Sequence, residues 1–408
     1  MQNLTLYTDP ASMTPLLPEN DEGQLHELAL TLIKKSAALS NSLNPTTRAA
    51  LVRLIEPMNS YYSNLIEGHN THPLEIEKAL KKNYSKEPEK KLLQLESKAH
   101  VRVQELMKKR VGEEGLDLYS LDFIKWLHLE FYKEMPEAFY YSKTISGKKV
   151  KITPGELRAV EVEVGHHIAP ASASLNEFIK FFSETYNRVS INNSIDNIIA
   201  AVAAHHRLAW IHPFQDGNGR VVRLFTEALF IKEEIDGNGL WSISRGLAIH
   251  NTAYYAALNN ADQKRWNDYD GRGNLSNRAL VDFCEFFLKT AIDQVEYMTS
   301  LLDIDNALKR IASYVDIMVA RKELKPQAKY IIEEAFLKGK ITRGEVVRLT
   351  GKSENTARKI MKELMGKELL ISKSDDVKTP LYINFPVKVA PYLFPKLYPK
   401  DIEATLEN

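Results

Sequence analysis

The chain has 408 residues, the length of two or three domains, with 44% hydrophobic residues and 54 Lys+Arg against 53 Asp+Glu. This near-neutral balance argues against a protein built to coat nucleic acid and leaves room only for a local basic patch. The single cysteine, Cys284 in "VDFCEFFLK", excludes an internal disulfide, and its apolar neighbours predict a buried, inert thiol. The N-terminus lacks a basic stretch followed by an apolar one, and no apolar run is long enough to span a bilayer. The expectation is a cytoplasmic protein with no membrane partner.

In chain order, the first twenty residues are rich in Pro and Asn and read as an extended arm. From Gln24 the pattern is helical: "QLHELALTLIKKSAAL" and "TTRAALVRLIEPMNSYYSNLI" place apolar residues three and four apart. "LEIEKALKKNYSKEPEKKLLQLESKAHVRVQELMKKR" alternates charges and reads as solvated helix with one break, and "LDFIKWLHLEFYKEM" as a strongly amphipathic helix. In "KKVKITPGELRAVEVEVG" two alternating runs flank a Pro-Gly turn, which predicts a hairpin. Helical patterns resume at "LNEFIKFFSETYNR" and "IDNIIAAVAAHHRLAWI". Beyond Leu324 comes helix, short helix "RGEVVRLTG", a turn at Gly351, helix "ENTARKIMKELMG" and two strand-like runs, the order of a winged helix-turn-helix. The predicted class is mainly α, with a helical region over 1–110, a central domain over 111–300 and the winged-helix unit over 325–390.

The densest chemistry lies in "IHPFQDGNGRVVR", residues 211–223. Gly217 and Gly219 let the backbone turn sharply, and a helix opening near Arg220 presents unpaired N–H groups there, which is an anion site. Arg220 and Arg223, three apart, are expected to project to one side and fork a polyphosphate. Asp216 puts a carboxylate beside those phosphates, the usual way to hold Mg²⁺. His212 stands at the edge of the nest, where an imidazole can take a proton from a hydroxyl. These residues spell group transfer from a Mg-nucleotide.

The same stretch resembles the signature of the Fic domain family: His-Pro-Phe, any residue, an acid, Gly-Asn-Gly-Arg and a further arginine three residues later. "AAHHRLAWI" is similar to the buried helix leading into that motif, "PGELRAVEVEVGHHIAP" to the family's flap, and the resemblance covers roughly Leu118 to Leu288. It implies a helical core with a hairpin flap and transfer of AMP from ATP to a protein hydroxyl. By position, His212 is the base, Asp216 holds Mg²⁺, and Gly217, Asn218 and Gly219 hold the phosphates. Arg220 and Arg223 clamp the β- and γ-phosphates. The flap segment Val162, Glu163, Val164 and Gly165 holds the target chain by strand addition and helps line the nucleotide site, and Tyr254 and Tyr255 border the adenine. Gly219 stands where a kinase-like branch carries lysine, which fits the adenylylating branch. His166, His167, His205 and His206 do not make a zinc set, since no Cys or Glu completes it and His205 and His206 fall in an apolar helix.

In "YYSNLIEGHN", Ser63 and Glu67 are one helical turn apart and Gly68 is a natural helix stop. Glu67 therefore falls at a helix C-terminus, where the dipole disfavours a carboxylate unless a cation answers it. "SNLIEG" also resembles the family's inhibitory helix, of the class that precedes the Fic domain in the same chain. That likeness implies that Glu67 pairs with Arg223 and takes it from the γ-phosphate.

The leading expectation is thus an autoinhibited protein adenylyltransferase. It would use ATP and Mg²⁺ on the Ser, Thr or Tyr hydroxyl of a target protein, itself included, with a homodimer partner open. A second reading runs the site in reverse, with Glu67 orienting water to remove AMP. A third is a DNA-binding regulator acting through Arg358, Lys359 and Lys362 of the winged helix, with DNA the less favoured partner because Glu354 and Glu363 interrupt the basic face.

Overall fold

The structure, a computed structural model, describes residues 6–19, 23–143, 147, 149–165, 167–189, 193–374, 376 and 378–407. Among them are seventeen α-helices and three small antiparallel sheets, around one hydrophobic cluster that runs from Met13 to Ile402. None of the helices is long and apolar enough to cross a membrane.

The described part of the arm corrects the expectation of an extended segment. Asp9 accepts from Ala11 N and starts a 3-10 turn over Pro10–Met13, and Met13 and Leu16 are buried. Tyr186 donates to the Leu16 carbonyl at 2.6 Å, and Arg207 donates twice to the Pro15 carbonyl. A buried arginine and tyrosine thus satisfy the arm's backbone and dock it.

Helix α1 (Gln24–Ser40) packs on the long helix Asn277–Leu301. Helix α2 (Pro45–Ile66) opens on Asn44, whose side chain accepts from Thr46 N, with Pro45 in the first turn. It stops where Gly68 takes a φ of 82°. Helices α3 (Pro73–Leu80) and α4 (Pro88–Val111) follow, and α4 lies between α2, α5 (Leu121–Lys133) and the helix of the glycine motif. The charge-rich α4 is not simply solvated: Gln94, Glu96, Ser97, His100 and Gln104 are all buried along it.

The expected hairpin across Pro154-Gly155 is replaced by two others. Strand β1 (Tyr141–Lys143) pairs with β2 (Lys149–Lys151), and β3 (Glu163–Val164) with β4 (His167–Ile168). The Pro-Gly segment does not fold the two runs together because it is tied elsewhere. Gly155 N donates to His128 of α5 at 2.8 Å, and a Cβ at Gly155 would lie 3.1 Å from Leu129 Cβ. Three residues on, Arg158 spends its backbone N–H on Pro213 and its guanidinium on the His212 and Pro170 carbonyls.

Helices α6 (Leu175–Val189), α7 (Ser194–Ile211), α8 (Asn218–Lys232), α9 (Ile243–Ile249), α10 (Asn251–Ala261) and α11 (Asn277–Leu301) complete the centre. Cys284 is buried within α11. Helix α12 (Ile304–Ala320) leads to α13 (Ala328–Lys338), β5 (Lys340–Ile341), α14 (Arg343–Thr350), α15 (Glu354–Gly366), β6 (Leu370–Ser372) and β7 (Leu381–Ile383). The sheet order β5-β7-β6 includes a strand, β5, that the sequence pattern does not announce. Thr47 of α2 donates to the Phe336 carbonyl of α13 at 2.6 Å, which seats this unit on α2. The chain ends in α16 (Ala390–Leu393) and α17 (Lys400–Glu407), and the stretch between them returns to α2. There Tyr62 donates to the Leu397 carbonyl and the Tyr398 ring meets Tyr61 edge-on.

Candidate active site

The site is built on the α7–loop–α8 corner. Helix α7 is buried from Ile198 to Leu208, and its two histidines cross-link the centre. His205 bonds Thr226 Oγ1 at 2.7 Å and Tyr254 Oη at 2.8 Å, and His206 bonds the Leu258 carbonyl and sits 3.1 Å from Asp262. His167 Nε2 meets the Trp210 carbonyl at 2.7 Å, while His166 lies outside the described residues. His212 ends α7 with a φ of 49°, the left-handed conformation that turns the chain into the loop. Asn218 closes that loop, since its amide accepts from Phe214 N at 2.9 Å and donates to Phe214 O at 2.8 Å. Its side chain thus shapes the corner. Gly217 caps α8 with a φ of 79°, and a Cβ there would lie 2.9 Å from the Tyr132 ring.

Behind the loop stands a layer that the sequence does not reveal. The His128 ring stacks on Phe214 at 4.0 Å, 7° from parallel, and its Nε2 reaches the Asp216 carbonyl. Burial pushes His128 down to about 4, so its ring is a neutral spacer at physiological pH. Tyr132 donates to Asp216 Oδ2 at 3.0 Å, and Asp216 Oδ1 is 3.7 Å from Arg220. The Asp216 side chain is 47% exposed, so its carboxylate stays open to solvent. A lone accessible carboxylate beside a glycine turn fits Mg²⁺, which takes one or two carboxylates and fills its shell with water and phosphate oxygens. Among the described residues no cluster of three or more His, Cys, Asp or Glu is arranged to hold a metal by itself.

In front of the corner lies a cavity of about 380 Å³. It brings together Glu67, Gly165, His212, Asn218, Gly219, Arg223, Tyr254 and Tyr255 from the predicted set. Val162, Glu163, Asp216, Gly217 and Arg220 do not border it, nor do Ser63 and Gly68 at the end of α2, and the Val164 side chain is outside the described set. Tyr255 is 46% exposed and donates to the Ile66 carbonyl at the end of α2, whereas Tyr254 is buried.

Arg223 is gripped at two points one turn apart on α2. Its Nε donates to Ser63 Oγ at 2.9 Å, and its Nη2 donates to the Ser63 carbonyl and lies 2.7 Å from Glu67 Oε1. The carboxylate reaches the arginine through the space above Gly219, where a Cβ would lie 2.1 Å from Glu67 Oε1. Burial opposes charge on Glu67, but Arg223 and then Arg220 outweigh it and hold the carboxyl below the ordinary glutamate value. Arg220 does not share this setting. It forms an ion pair with Glu96 of α4, a fully buried residue, and lies 5.0 Å over the Phe131 ring. The expectation that both guanidiniums open onto one space is therefore corrected: Arg223 borders the cavity and Arg220 is drawn behind it. Burial, then His167 and Arg158, push His212 down to about 4, so its ring is neutral, with a hydrogen bond to the Ala209 backbone. A neutral imidazole at the edge of an anion nest can accept a proton.

The comparisons agree with this geometry. Residues 118–230 match the model of the Fic/DOC family. The chain is similar to the protein adenylyltransferase Fic of Drosophila mojavensis, 31% identical over 118 residues, which are 29% of this chain and 23% of that protein. It is 34% identical to the same protein of Drosophila grimshawi over 90 residues, 22% of this chain and 18% of the relative. The chain thus spans less than a quarter of the length of these curated relatives. Among solved structures, Fic-1 from C. elegans superposes with a TM-score of 0.52 at 15% identity, over 68% of this chain and 73% of that one, which shows a shared fold. With the motif, its helical frame and the β3–β4 hairpin in place, residues 118–230 of this chain are a Fic/DOC family domain.

Proposed function

We propose that the chain is a protein adenylyltransferase that moves AMP from ATP to a Ser, Thr or Tyr hydroxyl, its own included, and that Glu67 restrains it. One observation carries this reading: the Glu67 carboxylate lies on Arg223 above Gly219, inside the cavity that His212 borders. The N–H groups at the start of α8, with Gly217 and Gly219 free of side chains, receive the phosphates. His212, held on one side by the Ala209 backbone, takes the proton of the target hydroxyl. That oxygen bonds the α-phosphorus as the bond to the β-phosphate oxygen breaks, and pyrophosphate leaves. Asp216 is the residue that would hold Mg²⁺, which supplies charge neutralisation on the phosphates when bound. Arg223 takes the γ-phosphate once Glu67 lets go. The β3–β4 pair is two-stranded among the described residues, so an extended target chain can add to it.

Three regions accompany this reading: the helical brake region 1–110, the central domain 111–300, and a winged helix-turn-helix over 325–390. The last has the helix order and β5-β7-β6 sheet of that module, and serves here as a docking unit. Its helix α15 pairs Arg358 with Glu354 at 3.0 Å, which weakens a DNA-binding face. Removal of AMP at the same site is the second reading, favoured by Glu67 bordering the same cavity as His212. Incubation with each labelled nucleoside triphosphate and Mg²⁺, followed by mass spectrometry of the product, tests the main reading. Label from ATP on a hydroxyl supports it, and an unlabelled protein in both the native and Glu67→Gly forms refutes it. Release of AMP from a premodified protein, lost in Glu67→Gly, would establish the second reading instead.

A further inference from the structure

His69 stands two residues past Glu67, just beyond the glycine that ends α2. Its Nδ1 lies 2.7 Å from Glu96 Oε2, while the other oxygen of the same carboxylate pairs with Arg220. Glu96 is fully buried on α4, and the His69 side chain is 36% exposed. One sealed carboxylate therefore joins the segment that carries Glu67 to the motif helix α8. The His69 backbone N–H also bonds the Asn64 carbonyl, which ties the main chain of His69 to the last turn of α2.

We propose that His69 and Glu96 are positioning residues for the brake: the His69–Glu96 contact anchors the end of α2 so that Glu67 stays over Gly219 on Arg223. The proposal rests on the brake reading and names what holds the brake in place. Four groups face His69: Glu96 from α4, Arg220 from α8, Glu67 from the end of α2, and the Phe139 ring at 6.4 Å from the 3-10 turn after α5. The Glu96 hydrogen bond raises the His69 pKa above its ordinary 6.5, with burial pulling the other way. A raised histidine pKa means that the tether is fully present below 6.5 and is lost as pH rises through the folded value. The brake should therefore loosen as the solution becomes more alkaline. His212, pushed down to about 4, does not titrate in that range.

The test measures self-modification with labelled ATP from about pH 6 to about pH 9, in the native protein and in Glu67→Gly. The activity of Glu67→Gly divided by that of the native protein at each pH isolates the brake, because the pH dependence of ATP, Mg²⁺ and His212 is common to both. The ratio should fall by about three- to tenfold from the acid to the alkaline end, the size of a half-exposed charge-assisted hydrogen bond. His69→Leu, measured with and without Glu67→Gly, should give a low ratio that is flat with pH. Glu96→Gln, measured the same way, should flatten it too, and His69→Leu keeps the test intact if Glu96→Gln does not fold. A ratio well above one that is flat in the native protein, or that falls equally in His69→Leu, overturns the tether alone. A ratio of one at every pH overturns the brake reading and the tether with it.

Discussion

Two arginines of the same helix, three residues apart, sit in contrasting surroundings. Arg223 meets Glu67 at the wall of a cavity, and the carboxylate is 28% exposed at the end of its helix. Arg220 meets Glu96 in the interior, where the carboxylate is fully buried; the two guanidiniums are alike in burial, 5% and 2% exposed, so the contrast lies with the carboxylates and with the cavity that Arg223 borders. A pair at a cavity wall can open when a competing anion arrives, because water and ligand replace what each partner loses. A sealed pair has no such exchange, and removing one partner strands the other in low dielectric. The comparison separates a contact suited to regulation from one suited to holding the site together.

The largest expected effects test that division. Glu96→Ala takes the buried charge partner from Arg220, leaving only the half-exposed Asp216 at 3.7 Å, and should lower unfolding stability by about 3–5 kcal/mol. Glu67→Ala should cost less than half as much in the same urea titration, because solvent reaches the vacated arginine through the cavity. Equal losses would break the comparison. For activity the order reverses. Glu67→Gly should raise self-modification by about ten- to a hundredfold, the equivalent of a charge-assisted pair of about 1.5–3 kcal/mol. Adding Arg223→Ala should remove the gain, since the arginine is the beneficiary. No gain in a folded Glu67→Gly protein would leave Glu67 as an ordinary helix-end residue.

A finer probe is the space beneath the Glu67–Arg223 pair. Gly219 does not have a positive φ, so alanine there is not strained in its backbone. Its Cβ would instead occupy the position of Glu67 Oε1 and come within 3.1 Å of Arg223 Nη1. Gly219→Ala should therefore displace the carboxylate, and the rise in self-modification should stay well below that of Glu67→Gly because the methyl also crowds the arginine and the phosphate site. In a Glu67→Gly background the same change should bring no gain, and an equal gain in both backgrounds would place the effect elsewhere.

How much of this is legible in the sequence depends on how local the cause is. The glycine turn, the αL stop at Gly68 and the placement of Glu67 at a helix end follow from neighbours in the chain. The hairpin is misplaced because its alternation is local while its partners are decided by Gly155 on His128 and Arg158 on the loop after α7. Glu96 is hidden for a stronger reason. It lies in a charge-rich helix, and only tertiary approach shows that Arg220 and His69 meet it. A signal is present all the same: Glu96, His100 and Gln104 recur every four residues beside Ala99, Val103 and Met107, all buried on α4. Polar residues in phase with an apolar stripe mark a buried face with partners. The returning tail at Leu397 and Tyr398 carries no comparable signal, since its contacts use backbone carbonyls and ring edges.

The smallest expected effect concerns the acid limb of the Glu67 pair. Its carboxyl is held below the ordinary value of 4.5, with burial opposing and Arg223 and Arg220 prevailing. A depressed folded pKa means that the stability it contributes is fully present above the unfolded value and disappears as pH falls through the folded one. The difference in unfolding free energy between the native protein and Glu67→Gln should therefore be constant from neutral pH down to about 5 and shrink below about 4.5. The quantity to follow is stability rather than turnover, because His212 gains its own proton near the same pH and stops accepting one. Other carboxylates titrate in that range too, but they are common to both proteins and cancel in the difference. A difference that instead grows on acidification would mean that Glu67 is held protonated in the folded chain. The cavity-side arginine would then keep only its Ser63 bonds and no charge partner, and its contrast with the sealed Arg220 would lose its basis.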